Sequence, residues 1–385
     1  MGCGRSGARC AALAVQPAGR TSRGCCAHRT PRTGSRPHTS HPRVSLPSPD
    51  SIAAAALRIR DAARHTPLTR SARLSELAGG DVFLKRESEQ VTGSFKVRGA
   101  LNVLASLPVE ERARGVVASS AGNHGLGVAF AAGRLGVPAT IFLPATAPAV
   151  KRDGIARLGA TVDATQPDYD AAMAQAKRFA EERGLRYVNP CLGDELLAGQ
   201  GTVALEVLED LPSLASIVVC VGGGGLLGGI GGYVRGAAPQ VRIVGVQSVR
   251  TAAMARSLAA GHVVHIPSVP TLADGLAGQI DDEALAIGRA ALDEMITLSE
   301  EEIGQAIAFL ARDEGMVVEG SGAVAAGAVL HRRIAALRTP AVAIVSGGNI
   351  DPTRHAAVLR DAAERGAARV GAMREGPLPA REGPL

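Results

Sequence analysis

The sequence predicts an α/β fold of parallel sheets with helices on both faces, and three observations carry that expectation. From about residue 52 onward, short β-branched runs alternate with Ala-rich segments of helical spacing, the signature of strand–helix–strand units. Small-residue or glycine-rich loops follow three of those runs, at 119–125, 222–229 and 346–349. In open α/β sheets ligands gather at such strand carboxyl ends. Of the 385 residues 46% are hydrophobic but only 2% aromatic, with no Trp. The core must therefore be built from Ala, Val, Leu and Ile, and nucleic-acid binding through stacked bases is disfavoured.

In chain order, the expected strands are 82–85 (VFLK), 116–119 (VVAS), 139–143 (ATIFL), 161–165 (TVDAT), 217–221 (IVVCV), 242–246 (RIVGV) and 341–345 (AVAIV). The expected helices between them include 124–135, 169–183, 195–209, 251–260, 283–295 and 321–333. Ser299 with Glu302 reads as a capping box opening a helix that runs to about Glu314. Leu211 to Val234 carries no charge, yet eight of its residues are Gly and Pro212 sits near its start. A short strand and a glycine turn account for it better than a membrane span.

The net charge of +6 belongs to the N-terminal 49 residues, which hold eight Arg and no acidic residue. The remainder has 34 Lys plus Arg against 36 Asp plus Glu, close to neutral. Residues 1–49 have the composition of an organelle transit peptide. The plainer reading, favoured here, is a disordered extension or a start codon placed upstream. Residues 367–385, with a repeated Arg-Glu-Gly-Pro-Leu, are expected to be a disordered tail. Beyond the leader only Cys191 and Cys220 remain, which fits a reduced, cytoplasmic protein.

Three loops and one lysine carry the chemistry. Gly222-Gly223-Gly224-Gly225-Leu226 follows a strand and opens a helix, so backbone amides and the helix dipole can converge on one phosphate. The literal G-x-G-x-x-G match there is weak, because the next strand ends in Gln247 and not in a ribose-binding acid. Read alone, the glycines could equally serve close helix–strand packing. Ser120-Ala121-Gly122-Asn123-His124 makes a second anion seat suited to a carboxylate, although Ser120 and Asn123 could be an ordinary cap and turn residue. His124 reads as a structural turn residue, not an acid or base. Ser346-Gly347-Gly348-Asn349 puts a hydroxyl at a third strand end.

The chain has four lysines against 38 arginines, and Lys96 sits in "GSFKVRGA". With Ser94 as the expected N-cap, Lys96 lies in a first helical turn, where the dipole opposes a cation. Gly99, Ala100 and Val103 make its face small and apolar, which further disfavours the protonated amine. An unprotonated lysine suits imine chemistry, which arginine cannot perform. An amine, a cradle for one phosphate, an amide and a distal hydroxyl together describe a site for pyridoxal phosphate.

"LKRESEQVTGSFKVRGA" (84–100), "SSAGNHGLGVA" (119–129), "GGGGL" (222–226), "VEGSGA" (318–323) and "SGGN" (346–349) resemble the threonine/serine dehydratase (ammonia-lyase) group of fold-type II pyridoxal-phosphate enzymes. The likeness runs from about residue 52 to 365. It implies a two-domain, tryptophan synthase β-like architecture, with residues 50–115 and 192–366 forming a large cofactor domain and 116–191 an inserted smaller one. It implies that Lys96 forms the Schiff base, with Phe95 beside it, and that Asn123 bonds the ring hydroxyl. Gly222 to Leu226 would hold the phosphate, Ser346 would face the pyridine nitrogen, and Glu319 would lie near the ring. Ser120 to His124 would seat the substrate carboxylate. Homodimers or homotetramers are the assemblies the resemblance implies.

Two departures narrow the choice. Related racemases place a serine acid/base where this chain has Ala121, so one-sided β-elimination is favoured over racemisation. Metal-dependent relatives use acids where this chain has Gln247 and Thr251-Ala252-Ala253, so no metal is expected. The expected reaction converts L-threonine, L-serine or a related 3-hydroxy amino acid to a 2-oxo acid and ammonia. The "TLADGLAGQID" segment (271–281) resembles a dehydratase of hydroxyectoine breakdown, which keeps a nonstandard substrate open. Racemisation, threonine synthesis or β-replacement, and a non-catalytic phosphate-binding module are the alternatives.

Overall fold

In the computed structural model, which describes residues 45–374, ten strands form two sheets. They are β1 (Leu68–Arg70), β2 (Val82–Lys85), β3 (Val116–Ser119), β4 (Ala139–Pro144), β5 (Thr161–Gln166), β6 (Arg186–Tyr187), β7 (Ser216–Cys220), β8 (Arg242–Ser248), β9 (Glu294–Leu298) and β10 (Ala341–Ile344). The larger sheet has the order β1-β2-β10-β7-β8-β9, and the smaller β5-β4-β3-β6. Only β1 runs antiparallel to its neighbour; the other pairings are parallel.

Burial explains the strand sequences. Every residue of β3, β7 and β10 is buried, because helices cover both faces of a parallel sheet and leave no polar side. In the smaller sheet alternate residues enter different layers. Val116 and Ala118 of β3 pack toward Val128 and Ala132, whereas Val117 joins Phe142 and the alanines Ala172, Ala176 and Ala180 of helix Tyr169–Arg183. Phe142 meets Phe179 edge-on at 5.3 Å.

Several expected boundaries move. The helix expected over 283–295 ends at Ala291, and Glu294–Leu298 becomes edge strand β9, whose side chains stay only partly covered apart from Leu298. Strands β1 and β6 were not expected, being three and two residues long at sheet edges. The capping box at Ser299 and Glu302 forms, opening helix Glu300–Arg312.

The folded chain begins earlier than residue 50. Ser48 caps helix Pro49–Ile59, Leu46 packs on the large core, and a Cβ on Gly232 would lie 2.4 Å from the Pro47 carbonyl oxygen. It also ends later than 366, because helix Pro352–Arg374 continues through eight residues expected to be tail. The leader through residue 44 and the tail from 375 lie outside the described residues. Among the described residues no helix is long and apolar enough to cross a membrane. The uncharged stretch Leu211 to Val234 is instead β7, the glycine turn and most of helix Gly225–Ala237.

Candidate active site

Lys96 is the first residue of helix Lys96–Ser106, as the sequence implies, but Ser94 is not its cap. Phe95 holds the N-cap position in an αR conformation with no side-chain cap. Ser94 instead bridges to Gly347, and the Phe95 N–H donates to the Ser346 carbonyl at 3.1 Å. The segment before the lysine is thus stitched to the loop after β10. Gly127, of helix Asn123–Leu135, lets that helix approach; a Cβ there would lie 3.2 Å from the Lys96 carbonyl.

The Lys96 amine donates to the Pro190 carbonyl at 2.6 Å and lies 5.3 Å from the Phe95 ring centroid. The next residue, Cys191, rests on the glycine loop. A Cβ on Gly223 would fall 2.6 Å from the Cys191 Sγ, and one on Gly225 would fall 2.8 Å from its carbonyl oxygen. Gly224 has φ +89°, where a side chain is strained. The loop is therefore glycine because of close approach and backbone conformation, and it opens the 13-residue helix Gly225–Ala237. Its first N–H groups have no acceptors within the helix. Leu226 is buried in the core, so only its backbone is available to this loop.

Asn123 and Glu319 meet on the other side. The Asn123 Nδ2 donates to Glu319 Oε1 at 2.6 Å, and a Cβ on Gly347 would lie 2.4 Å from that oxygen. Burial raises the Glu319 carboxyl to about 7; the Asn123 bond opposes the rise, Asp274 adds to it, and Lys151 and Arg354 oppose it. Ser346 is buried, accepts from the Cys220 thiol at 3.3 Å, and has its own Oγ 3.5 Å from the Ser321 carbonyl. Burial pushes the Cys220 thiol up to about 11 despite the bond to Ser346, so it is a neutral donor.

The side chains of two expected substrate-seat residues have partners within the protein. The Ser120 hydroxyl accepts from the Gly122 N–H at 3.2 Å, a local turn. The buried His124 ring bonds the Val188 carbonyl through Nε2 at 2.9 Å. Burial and then the Lys96 cation lower it to about 3, against the Val188 bond, so the ring is neutral and structural. What Ser120 to His124 present toward an anion is a helix N-terminus, with Ala121, Gly122 and Asn123 only partly buried. Gln247 accepts from the Ala255 N–H at 3.0 Å, a backbone role.

A buried ionic cluster beneath the lysine was not expected. Arg98 bonds both oxygens of Glu87 and both of Glu206, and Lys85 pairs with Glu206 at 2.6 Å. Burial disfavours the Arg98 charge, but Glu87 and Glu206 outweigh it and hold the guanidinium above its ordinary value. The cluster fixes helix Lys96–Ser106 against helix Asp194–Asp210. No signal in the sequence singles out a buried arginine among 38.

The family model described as pyridoxal-phosphate dependent enzyme matches residues 59–347. The chain belongs to the family of pyridoxal-phosphate-dependent enzymes. This pyridoxal-phosphate-dependent enzyme is 43% identical to an L-threonine ammonia-lyase of Geobacter sulfurreducens over 295 residues, 76% of this chain and 73% of the relative. A solved maize serine racemase superposes with TM-score 0.78 at 32% identity, over 84% of this chain and 99% of that one. The processed threonine deaminase isoform 2 of Solanum lycopersicum superposes with TM-score 0.75 at 33% identity, over 83% and 92%.

The residues present fit the cofactor. The glycine cradle admits no side chains at Gly223 and Gly225, and a long helix starts from it. An amine, an amide and a hydroxyl from three separate loops are drawn together by the Ser94–Gly347, Phe95–Ser346 and Asn123–Glu319 contacts. Two buried hydroxyls there, Ser94 and Ser321, have no partner among the described residues.

Proposed function

We propose that this enzyme is a threonine/serine ammonia-lyase, which releases a 2-oxo acid and ammonia from a small 3-hydroxy amino acid. When bound, pyridoxal phosphate supplies the electron sink that makes the substrate Cα proton removable. Gly222 to Leu226 would hold its phosphate, Asn123 the ring hydroxyl and Ser346 the pyridine nitrogen, with Lys96 as the covalent attachment and Phe95 beside it. Residues 116–191 would form the inserted lobe carrying the carboxylate seat at Ser120 to His124, through backbone N–H groups.

Lys96 moves the proton at Cα; its amine bonds the Pro190 carbonyl, next to the Cys191 that rests on the glycine cradle. The observation that carries elimination over racemisation is Ala121. A racemase needs a second acid/base group on the opposite face of Cα, and a methyl side chain cannot be one. His124 is a poor substitute, because its buried ring holds the Val188 carbonyl through Nε2 and burial lowers it to about 3, which leaves it a very weak base. A hydroxyl partner for the pyridine nitrogen, as Ser346 would be, leaves that nitrogen largely unprotonated. Elimination tolerates this, since the departing hydroxyl relieves charge at Cα.

The L-threonine ammonia-lyase relative supports L-threonine as substrate. A cytoplasmic location suits the free thiols Cys191 and Cys220. Release of 2-oxo acid and ammonia should be measured across a panel of 3-hydroxy amino acids. Equimolar products from L-threonine or L-serine are expected. Accumulation of the D-enantiomer without keto acid would favour the racemase reading.

A further inference from the structure

We infer that Asn349 is a positioning residue, which fixes the end of the Asn123 amide that faces the cofactor ring. The inference rests on the pyridoxal-phosphate reading of Asn123 given above. The Asn349 Nδ2 donates both of its hydrogens, to the Thr92 carbonyl at 2.8 Å and to the Asn123 Oδ1 at 2.7 Å. The Asn123 Nδ2 then donates to Glu319 Oε1 at 2.6 Å.

The direction of this chain is set at one end. A backbone carbonyl only accepts, so the face of the Asn349 amide toward Thr92 must be its NH2. The same nitrogen meets Asn123, whose facing atom must accordingly be oxygen. The Asn123 nitrogen is left for Glu319, with one N–H unspent. Reversing Asn349 would set its oxygen against two acceptors, and reversing Asn123 alone would set its NH2 against the Asn349 NH2. The amide at 123 thus offers an N–H donor, not a carbonyl, to a ring oxygen.

The seat of Asn349 is built into the fold. Gly93 has φ +75°, and a Cβ there would lie 2.4 Å from the Asn349 Oδ1. The Gly348 N–H donates to the Gly93 carbonyl at 2.9 Å, holding the two loops together. The chain joins the segment before Lys96, the turn after β3, the segment before helix Gly320–Leu330 and the loop after β10. A donor favours the ionised ring oxygen, whereas a carbonyl favours the protonated one. The ionised form of the bound cofactor absorbs in the visible and the protonated form in the near ultraviolet.

The test uses holoenzyme carrying Asn349→Asp, Asn349→Ala, Asn123→Ala or the Asn123→Ala/Asn349→Ala pair. Pyridoxal phosphate affinity, the visible to near-ultraviolet absorption ratio and thermal stability are read for each. Each Asn349 variant should bind the cofactor about tenfold more weakly, as expected for one bond to a charged group, and should lose visible absorption. The melting temperature should fall by no more than the weaker cofactor binding accounts for, because Asn349 is exposed. Adding Asn349→Ala to Asn123→Ala should change neither cofactor readout further. Wild-type affinity and spectrum in both Asn349 variants, with both altered in Asn123→Ala, would overturn the inference and leave the site reading intact. If Asn123→Ala itself changes neither, the site reading fails and the inference with it. Full additivity in the double variant would show that Asn349 acts other than through Asn123. If Asn349→Asp does not fold, Asn349→Ala decides by the same readouts.

Discussion

Glu319 is half protonated near neutral pH, because burial has raised its carboxyl from 4.5 to about 7. Between those values the folded protein holds a proton that the unfolded chain has released. Stability contributed by that proton is complete below 4.5 and is lost as the pH rises through 7. Glu319→Gln keeps an oxygen for Asn123 but removes the titration. The melting temperature of the variant should therefore fall less than that of wild type between pH 4.5 and 7; parallel profiles would contradict the assignment. His124 works in the opposite sense. Its folded value of about 3 withdraws stability as the pH falls below 6.5, and it is common to both proteins. Ala121 is the other residue on which the chemistry turns. Ala121→Ser should raise the ratio of serine racemisation to keto-acid release, measured by chiral chromatography; an unchanged ratio would mean that a second face group is not what the wild type lacks. Lys96 and Ala121 could be proposed from the sequence because the chemistry assigned to them resides in the side chain itself. The structural reading of His124 agrees with its bond to Val188, whereas the particular partners of His124 and Ser120 were not legible, because rotamers are set by neighbours such as Val188 and Gly122.

Helix Lys96–Ser106 is held by charge as well as by packing. Arg98 is 1% exposed and satisfies Glu87, itself fully buried, and Glu206. Removing it leaves two carboxylates and one lysine in the interior, a type of change that costs about 3–5 kcal/mol. Arg98→Leu should show a loss of that size in urea unfolding, and a loss under about 1 kcal/mol would mean that the cluster is better solvated than its burial indicates. Elements with local signals were read correctly from sequence: the capping box at Ser299, and β-branched runs such as 116–119. Elements defined by their partners were not. β9 is recognised by pairing with β8, and Glu-Met-Ile-Thr-Leu continues a helical pattern until tertiary contacts decide. The Arg98 cluster joins residues more than 100 positions apart, beyond any local pattern.

At the scale of the whole molecule, the two sheets bring strand-end loops from β3, β7 and β10 to a common place. That convergence was legible because all three loops are rich in glycine or small residues, and the structure supplies the reason. Gly223, Gly225 and Gly347 each lie where a Cβ would strike a neighbouring loop or its side chain. The Asn349–Asn123–Glu319 chain was less legible, since its direction depends on the Thr92 carbonyl, a backbone atom common to every residue type. Lys96, as the group that moves the Cα proton, is the residue without which keto-acid release should stop. The rate of keto-acid release from L-threonine by cofactor-saturated wild type and Lys96→Ala tests that role most directly. A loss of at least about a hundredfold is expected for removal of a general base, together with loss of the covalent cofactor's visible band; wild-type turnover by Lys96→Ala would contradict it.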